Sequence, residues 1–183
     1  MSLISSPPLI QGLYEFTPRR FADARGYFAE TYSARSLAAA GINDIFVQDN
    51  QSVSARGVLR GLHFQKPPHP QAKLVRVLTG RALDVAVDLR AGSPTFGQHQ
   101  TVILDSAIGN TFYIPVGFAH GFLALEDDTM LHYKCTDYYH PETEGALRWD
   151  DPALGIDWGG LVKPLVSEKD AIAPLLHELV TPF

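Results

Sequence analysis

The sequence predicts an all-β fold: a sandwich or barrel of short antiparallel strands with a few short peripheral helices. Three observations carry this. From Val47 to about Tyr139, β-branched and aromatic segments such as LVRVLTG, QTVILDS, NTFYIPVGFAHGFLAL and TMLHYKCTDYY are broken by Gly, Pro or Ser at strand spacing. Within this region ALDVAVDLR alternates, with Leu83, Val85, Val87 and Leu89 on one side and Asp84, Ala86 and Asp88 on the other, the pattern of a half-buried antiparallel strand. Only two stretches read as helical, SARSLAAAG early in the chain and VSEKDAIAPLLHEL near its end.

Taken in order, FADARGYFAE has the periodicity of an exposed edge strand and carries Arg25, Phe28 and Glu30. In SARSLAAAG, Ser33 is the expected N-cap and Gly41 the stop. The strand region follows without an internal repeat or low-complexity linker, so 183 residues read as one domain over 1–183. In the last helical stretch, Ser167 followed three residues later by Asp170 resembles a weakened capping box.

Composition excludes several functions. A hydrophobic fraction of 45% and a charged fraction of 19% belong to a globular chain rather than a disordered one. No apolar run reaches the ~18 residues of a membrane span, and MSLISSPPLIQG has neither a basic start nor an extended apolar stretch, so a cytoplasmic location is expected. The formal charge of −5 argues against general nucleic-acid affinity but leaves room for a small anion held by a few convergent cations. Cys135, the lone cysteine, rules out an intrachain disulfide and reads as a small buried apolar residue.

The chemistry starts from GVLRGLHFQ, where Gly57 lies six residues before His63, and from GNTFYIPVGFAH, which spaces Gly109, Pro115, Gly117 and His120 as G-x5-P-x-G-x2-H. The pair resembles the two motifs of the cupin superfamily, which implies a cupin-type jelly-roll β-barrel. The first motif departs from its metal-binding form: Gln65 replaces the second histidine and Lys73 stands where a carboxylate belongs. A transition-metal site wants three or more imidazole or carboxylate ligands, and an ammonium there opposes a divalent ion, so no metal is expected. Strand geometry puts His63 and Gln65 on one face. Alone, His63 could be a hydrogen-bonded core residue and Lys73 a surface lysine. Together in an apolar barrel they suit proton abstraction beside a carbonyl, with neutral imidazole as base and the ammonium stabilising the enolate oxygen.

Longer matches narrow the reading. FADARGYFAE, VQDNQSVSARGVLRGLHFQ, QAKLVRVLTG, DVAVDLRAGSPTFG, YIPVGFAHGF, YKCTDYYHP and WDDPALGIDW, in that order, resemble the dTDP-4-dehydrorhamnose 3,5-epimerase family from about Phe21 to Asp170. The resemblance implies inversion of the two centres flanking the 4-keto group of dTDP-4-dehydro-6-deoxy-glucose, without cofactor or metal. It assigns His63 as general base, Asp170 as its carboxylate partner, Lys73 as enolate stabiliser, Tyr133 as the acid on the opposite face and His120 as pocket support. For the nucleotide it implies Arg60 and Arg25 at the diphosphate, Tyr139 against thymine and Gln48 and Asn50 as polar contacts. It also implies a homodimer in which Arg25, Phe28 and Glu30 reach the partner's site.

One tension remains inside the strand. In unbroken alternation Arg60 points away from His63, so either a bulge intervenes, which Gly57 and Gly61 permit, or the phosphates lie at the barrel rim. Three rivals stand beside the double epimerase: a sibling inverting only C3 or only C5 in antibiotic-sugar synthesis, a metal-dependent cupin, and an inert sugar-binding cupin. Gln65 and Lys73 oppose the second; the joint presence of His63, Lys73, Tyr133 and Asp170 opposes the third.

Overall fold

The computed structural model describes residues 10–160 and 163–183, so most of the opening segment read for targeting signals lies outside the described residues. The strands are β1 (Tyr14–Phe16), β2 (Arg20–Asp23), β3 (Gly26–Ala29), β4 (Gln48–Ser54), β5 (Leu59–Gln65), β6 (Lys73–Thr79), β7 (Arg81–Asp88), β8 (His99–Asp105), β9 (Thr111–Ile114), β10 (Phe118–Ala124), β11 (Thr129–Cys135) and β12 (Glu144–Ala146). They form two five-stranded antiparallel sheets, ordered β1-β9-β6-β11-β4 and β12-β5-β10-β7-β8, and a separate β2-β3 hairpin. From β4 to β12 the chain changes sheet at every step except β7 to β8, which is jelly-roll connectivity. Residues near in sequence therefore face each other across the interior.

Between the sheets, Val75, Val77, Phe112, Ile114 and Leu131 of one meet Ala86, Val102, Leu104, Phe118 and Phe122 of the other. A second core lies outside the β5/β10/β7 sheet, where Leu59, Leu62, Leu83, Val85, Val87 and Leu123 are roofed by Leu147, Leu154 and Trp158. This overturns the half-buried reading of ALDVAVDLR: every residue from Ala82 to Leu89 is buried. The strand's larger apolar face looks outward under that roof. Its other face turns the small Ala86 and the buried Asp84 toward the interior. A third core packs Leu37 and Ile42, from helix α1 (Ala34–Ala39) and the turn after it, against Leu74 and Tyr113.

The first helix forms where expected. The Ser33 hydroxyl accepts from the Ser36 N–H at 3.4 Å, and Gly41 at φ +85° follows the helix end. The second expected helix does not run through VSEKDAIAPLLHEL. One α-turn, α2 (Glu168–Ala171), is separated from a 3-10 turn at Leu176–Glu178, and Pro174 between them lacks the N–H that a continuous helix needs. Cys135 is buried as expected.

β5 carries the irregularity that positions the site. His63 pairs with His120 and Arg60 with Phe122, so Gly61 and Leu62 together oppose Gly121 alone. That is a β-bulge. Gly61 sits at φ +131°, and a Cβ on it would lie 2.5 Å from the Gly121 Cα, so both conformation and space require glycine there.

Candidate active site

The bulge settles the Arg60 tension. By adding one residue to β5, it brings Arg60 and His63 to the same cleft, a cavity of about 490 Å³ lined also by Lys73, His120, Tyr133, Lys169 and Asp170. An adjoining cavity of about 260 Å³ is lined by Gln48, Asn50, Gln65, Tyr139 and Glu144. His63, Lys73 and Tyr133 border both cavities and so stand at the waist between them.

His63 Nε2 lies 2.6 Å from Asp170 Oδ1, and the other carboxylate oxygen accepts from the Gly61 N–H at 3.4 Å. Exposure divides the pair: the His63 side chain is 33% exposed and that of Asp170 only 4%. Burial pushes the Asp170 carboxyl upward, but the His63 hydrogen bond and charge, the Gly61 N–H and the Ser167 hydroxyl outweigh it and hold the group below its ordinary range. Asp170 is thus an ionised carboxylate aimed at the imidazole. Ser167 caps α2 by accepting from the Asp170 N–H at 3.1 Å, so the capping and partner roles coexist in one residue.

Lys73 opens β6 in the facing sheet, with Nζ 3.5 Å from the His63 carbonyl oxygen. Burial lowers its pKa, while Cys135, Asp84 and Glu144 pull the other way. A desolvated ammonium gains most when an anion appears beside it. Tyr133, on β11 of the same sheet, lies with its ring centroid 6.0 Å from Lys73 Nζ. Burial raises the phenol above its ordinary value, ahead of a smaller push from Cys135 and an opposing pull from Arg60, so it remains protonated and able to donate.

Behind this group is a pair that the sequence reading did not single out. His120 Nε2 lies 2.9 and 3.0 Å from the two oxygens of Asp84, whose side chain is 0% exposed. Burial drives both partners toward their uncharged forms, lowering His120 and raising Asp84, against their mutual attraction. A charged residue at an inward position of a core strand was the available signal. Glu144 and Lys169 were also missed: they pair at the rim between the cavities, and Glu144 further accepts from the Tyr139 hydroxyl at 3.2 Å. Glu144 has no local mark in the sequence, whereas Lys169 adjoins Asp170.

Gln65 explains the altered cupin motif. Its Nε2 donates to the His69 carbonyl at 2.8 Å and the Tyr138 carbonyl at 3.1 Å, and its Oε1 accepts from the His140 N–H at 2.9 Å. The side chain staples two loops, so its amide is committed away from any ion at His63. Among the residues expected at the nucleotide, Gln48 Nε2 donates to Asn50 Oδ1 at 3.1 Å and Gln48 Oε1 accepts from the Tyr139 N–H at 3.0 Å. Arg60 donates to the Ser54 hydroxyl at 3.1 Å. Arg25, Phe28 and Glu30 are not brought to either cavity: Arg25 and Phe28 project from the β2-β3 hairpin, Phe28 70% exposed, and Glu30 follows it on the surface.

A two-sheet barrel that sets a carboxylate-paired imidazole and a protonated phenol on facing sheets, with a desolvated ammonium beside them, defines a class: a cupin-like acid–base isomerase. The family model for dTDP-4-dehydrorhamnose 3,5-epimerase matches residues 8–178, and the chain belongs to that family. It is 50% identical over 163 residues to the dTDP-4-dehydrorhamnose 3,5-epimerase of Methanothermobacter thermautotrophicus, covering 88% of each chain. It is 51% identical over 156 residues to that of Pseudomonas aeruginosa, covering 85% of this chain and 86% of the other. Among solved structures it is similar to dTDP-6-deoxy-D-glucose-3,5-epimerase from Legionella pneumophila in complex with dTDP-4-keto-L-rhamnose, with a TM-score of 0.91, 48% identity and coverage of 96% of this chain and 93% of that one.

Proposed function

We propose that this chain, acting as one cytoplasmic epimerase domain, inverts C3 and C5 of dTDP-4-dehydro-6-deoxy-glucose to give dTDP-4-dehydro-rhamnose. The observation that supports the reading is that the His63 imidazole stands on one sheet and the Tyr133 phenol on the other, both bordering the same waist. A sugar ring held there presents opposite faces to the two side chains. His63 removes the proton beside the 4-keto group, and Asp170 stabilises the imidazolium that results. Electrons move into the carbonyl, and Lys73 stabilises the enolate oxygen. Tyr133 then protonates the carbon from the other face, which turns exchange into inversion. His120, locked against Asp84, supports the floor of the site.

In this reading Arg60 holds the diphosphate with its planar fork, and the nucleotide crosses the Lys169–Glu144 rim so that thymine lies against Tyr139 with Gln48 and Asn50 nearby. The exposed Phe21, Tyr27 and Phe28 of the hairpin form an apolar surface suited to a second copy of the chain, whose site Arg25, Phe28 and Glu30 complete in a homodimer. No metal takes part, since Gln65 and Lys73 break the ligand set.

The test is incubation of the enzyme with dTDP-4-dehydro-6-deoxy-glucose in heavy water, with and without a chelator, followed by NMR of the products. Label and inversion at both C3 and C5, unaffected by chelation, is the expected result. Inversion at one centre only would replace the assignment with a single-centre epimerase, and loss of turnover on chelation would reject the metal-free mechanism.

A further inference from the structure

Outside the cleft, three donor side chains converge from two loops. His69 lies between β5 and β6; Asp137 and His140 follow β11. His69 Nδ1 is 3.0 Å from Asp137 Oδ2, the His69 and His140 rings have centroids 3.6 Å apart, and one donor atom from each of the three lies within 4.8 Å of the others. We propose that His69, Asp137 and His140 bind a divalent transition-metal ion such as zinc, at a site separate from the catalytic waist.

The donor set fixes the class of ion. Two imidazoles and one carboxylate suit zinc, copper or nickel, whereas magnesium and calcium prefer oxygen ligands throughout. The geometry is close to what such an ion needs. Ligand atoms about 2.0 Å from a tetrahedral centre stand roughly 3.3 Å from one another, a few tenths of an ångström beyond the His69–Asp137 separation. An ion can therefore replace the proton those two atoms share. His140 needs a movement: its ring lies 8° from parallel to that of His69, and stacked rings direct their lone pairs side by side rather than to one point. All three side chains are about one-third exposed, which leaves room for the ring to tilt and for water to complete the coordination.

A neighbouring carboxylate favours His140 as a ligand. Its Nδ1 lies 3.0 Å from Glu142 Oε1, and a proton held there leaves the Nε2 lone pair free. Asp137 Oδ1 accepts from the Tyr138 N–H at 2.7 Å, which fixes the carboxylate with Oδ2 toward His69. Gln65 already ties these loops together through the His69 and Tyr138 carbonyls and the His140 N–H. Tyr139 lies between the ligand-bearing residues. An ion here would add a second cross-link across the loop that carries Tyr139, with no part in proton transfer.

The experiment is calorimetric titration of untagged, metal-stripped protein with zinc chloride near neutral pH, with magnesium chloride as a parallel arm and thermal unfolding as a second readout. We expect one zinc ion per chain, a raised unfolding midpoint and no response to magnesium. His69→Ala, His140→Ala and Asp137→Asn should each weaken zinc binding about tenfold or more, and Glu142→Gln by less. Asp137→Asn is nearly isosteric and keeps the test valid if a histidine variant misfolds, which circular dichroism reports. Absence of saturable zinc uptake overturns the proposal. So does uptake that survives all three ligand substitutions, or uptake lost only in His63→Ala, which would move the ion into the cleft.

Discussion

Two histidine–carboxylate pairs have their histidines on adjacent strands of one sheet, in register through His63 and His120, and they do different things because water reaches only one of them. His63–Asp170 keeps its carboxylate buried and its imidazole open to the cleft. In His120–Asp84 both side chains are almost fully buried. A general base must meet substrate and change charge, which the open imidazole can do; a sealed pair resists any change in charge, because desolvation penalises each ionised form. The same two side chains make a base where one end is solvated and a structural bolt where neither is.

The largest expected effect separates them by activity. Asp170→Asn keeps the shape of the pair but removes the charge that stabilises the imidazolium, so turnover should fall about a hundredfold to ten-thousandfold while the fold persists. Steady-state kinetics on a variant verified by circular dichroism decide it; near-normal turnover would leave Asp170 as a helix residue only. The next effect is on stability. Asp84→Asn replaces a carboxyl oxygen against the buried His120 by an amide group, and a buried hydrogen-bonding group left unsatisfied costs about 1 to 3 kcal/mol. Urea unfolding should therefore show a larger loss for Asp84→Asn than for Asp170→Asn. Equal losses would erase the contrast.

The smallest effect is in pH dependence. Asp170 titrates lower in the fold than the roughly 3.9 of an unfolded aspartate, so its stabilisation is present above that value and is lost as pH falls through the depressed folded pKa. His120 is also lowered in the fold. Below the roughly 6.5 of a free imidazole, the unfolded chain takes up a proton that the folded chain refuses, so stability begins to fall at milder acidity. Asp84, raised in the fold, takes up a proton there more readily than in the unfolded chain and offsets this loss. Unfolding free energy measured against pH should thus separate a more acidic stage carried by Asp170 from the opposed changes of the buried pair. Asp170→Asn should reduce only the more acidic stage.

What the sequence disclosed follows from what is local. Ser33 and Gly41 mark a helix by their neighbours alone, and the conflict between Arg60 and His63, with glycine between them, raised a bulge as one of two resolutions, the one β5 adopts. Alternation in ALDVAVDLR showed which residues share a face, but not what covers each face. Its outer cover comes from Leu147, Leu154 and Trp158, contacts remote in sequence, so Asp84 passed for one side of a half-buried strand. Asp170 became a candidate through family resemblance, because nothing in SEKD announces a partner on β5. Pro174, which lacks the N–H a continuous helix needs, is the local signal for the break in the last helical stretch.

The central claim is that His63 removes the proton and Tyr133 returns one from the other face. The direct measurement is deuterium uptake from heavy water at C3 and C5, followed by NMR in folded His63→Ala and Tyr133→Phe variants. The account predicts neither uptake nor product for His63→Ala, because no enolate forms. For Tyr133→Phe it predicts label entering the substrate with retained configuration while inversion falls sharply, since His63 can still return a deuteron to the face it came from. Rapid exchange at both carbons in folded His63→Ala would contradict the account and give the base's role to another residue.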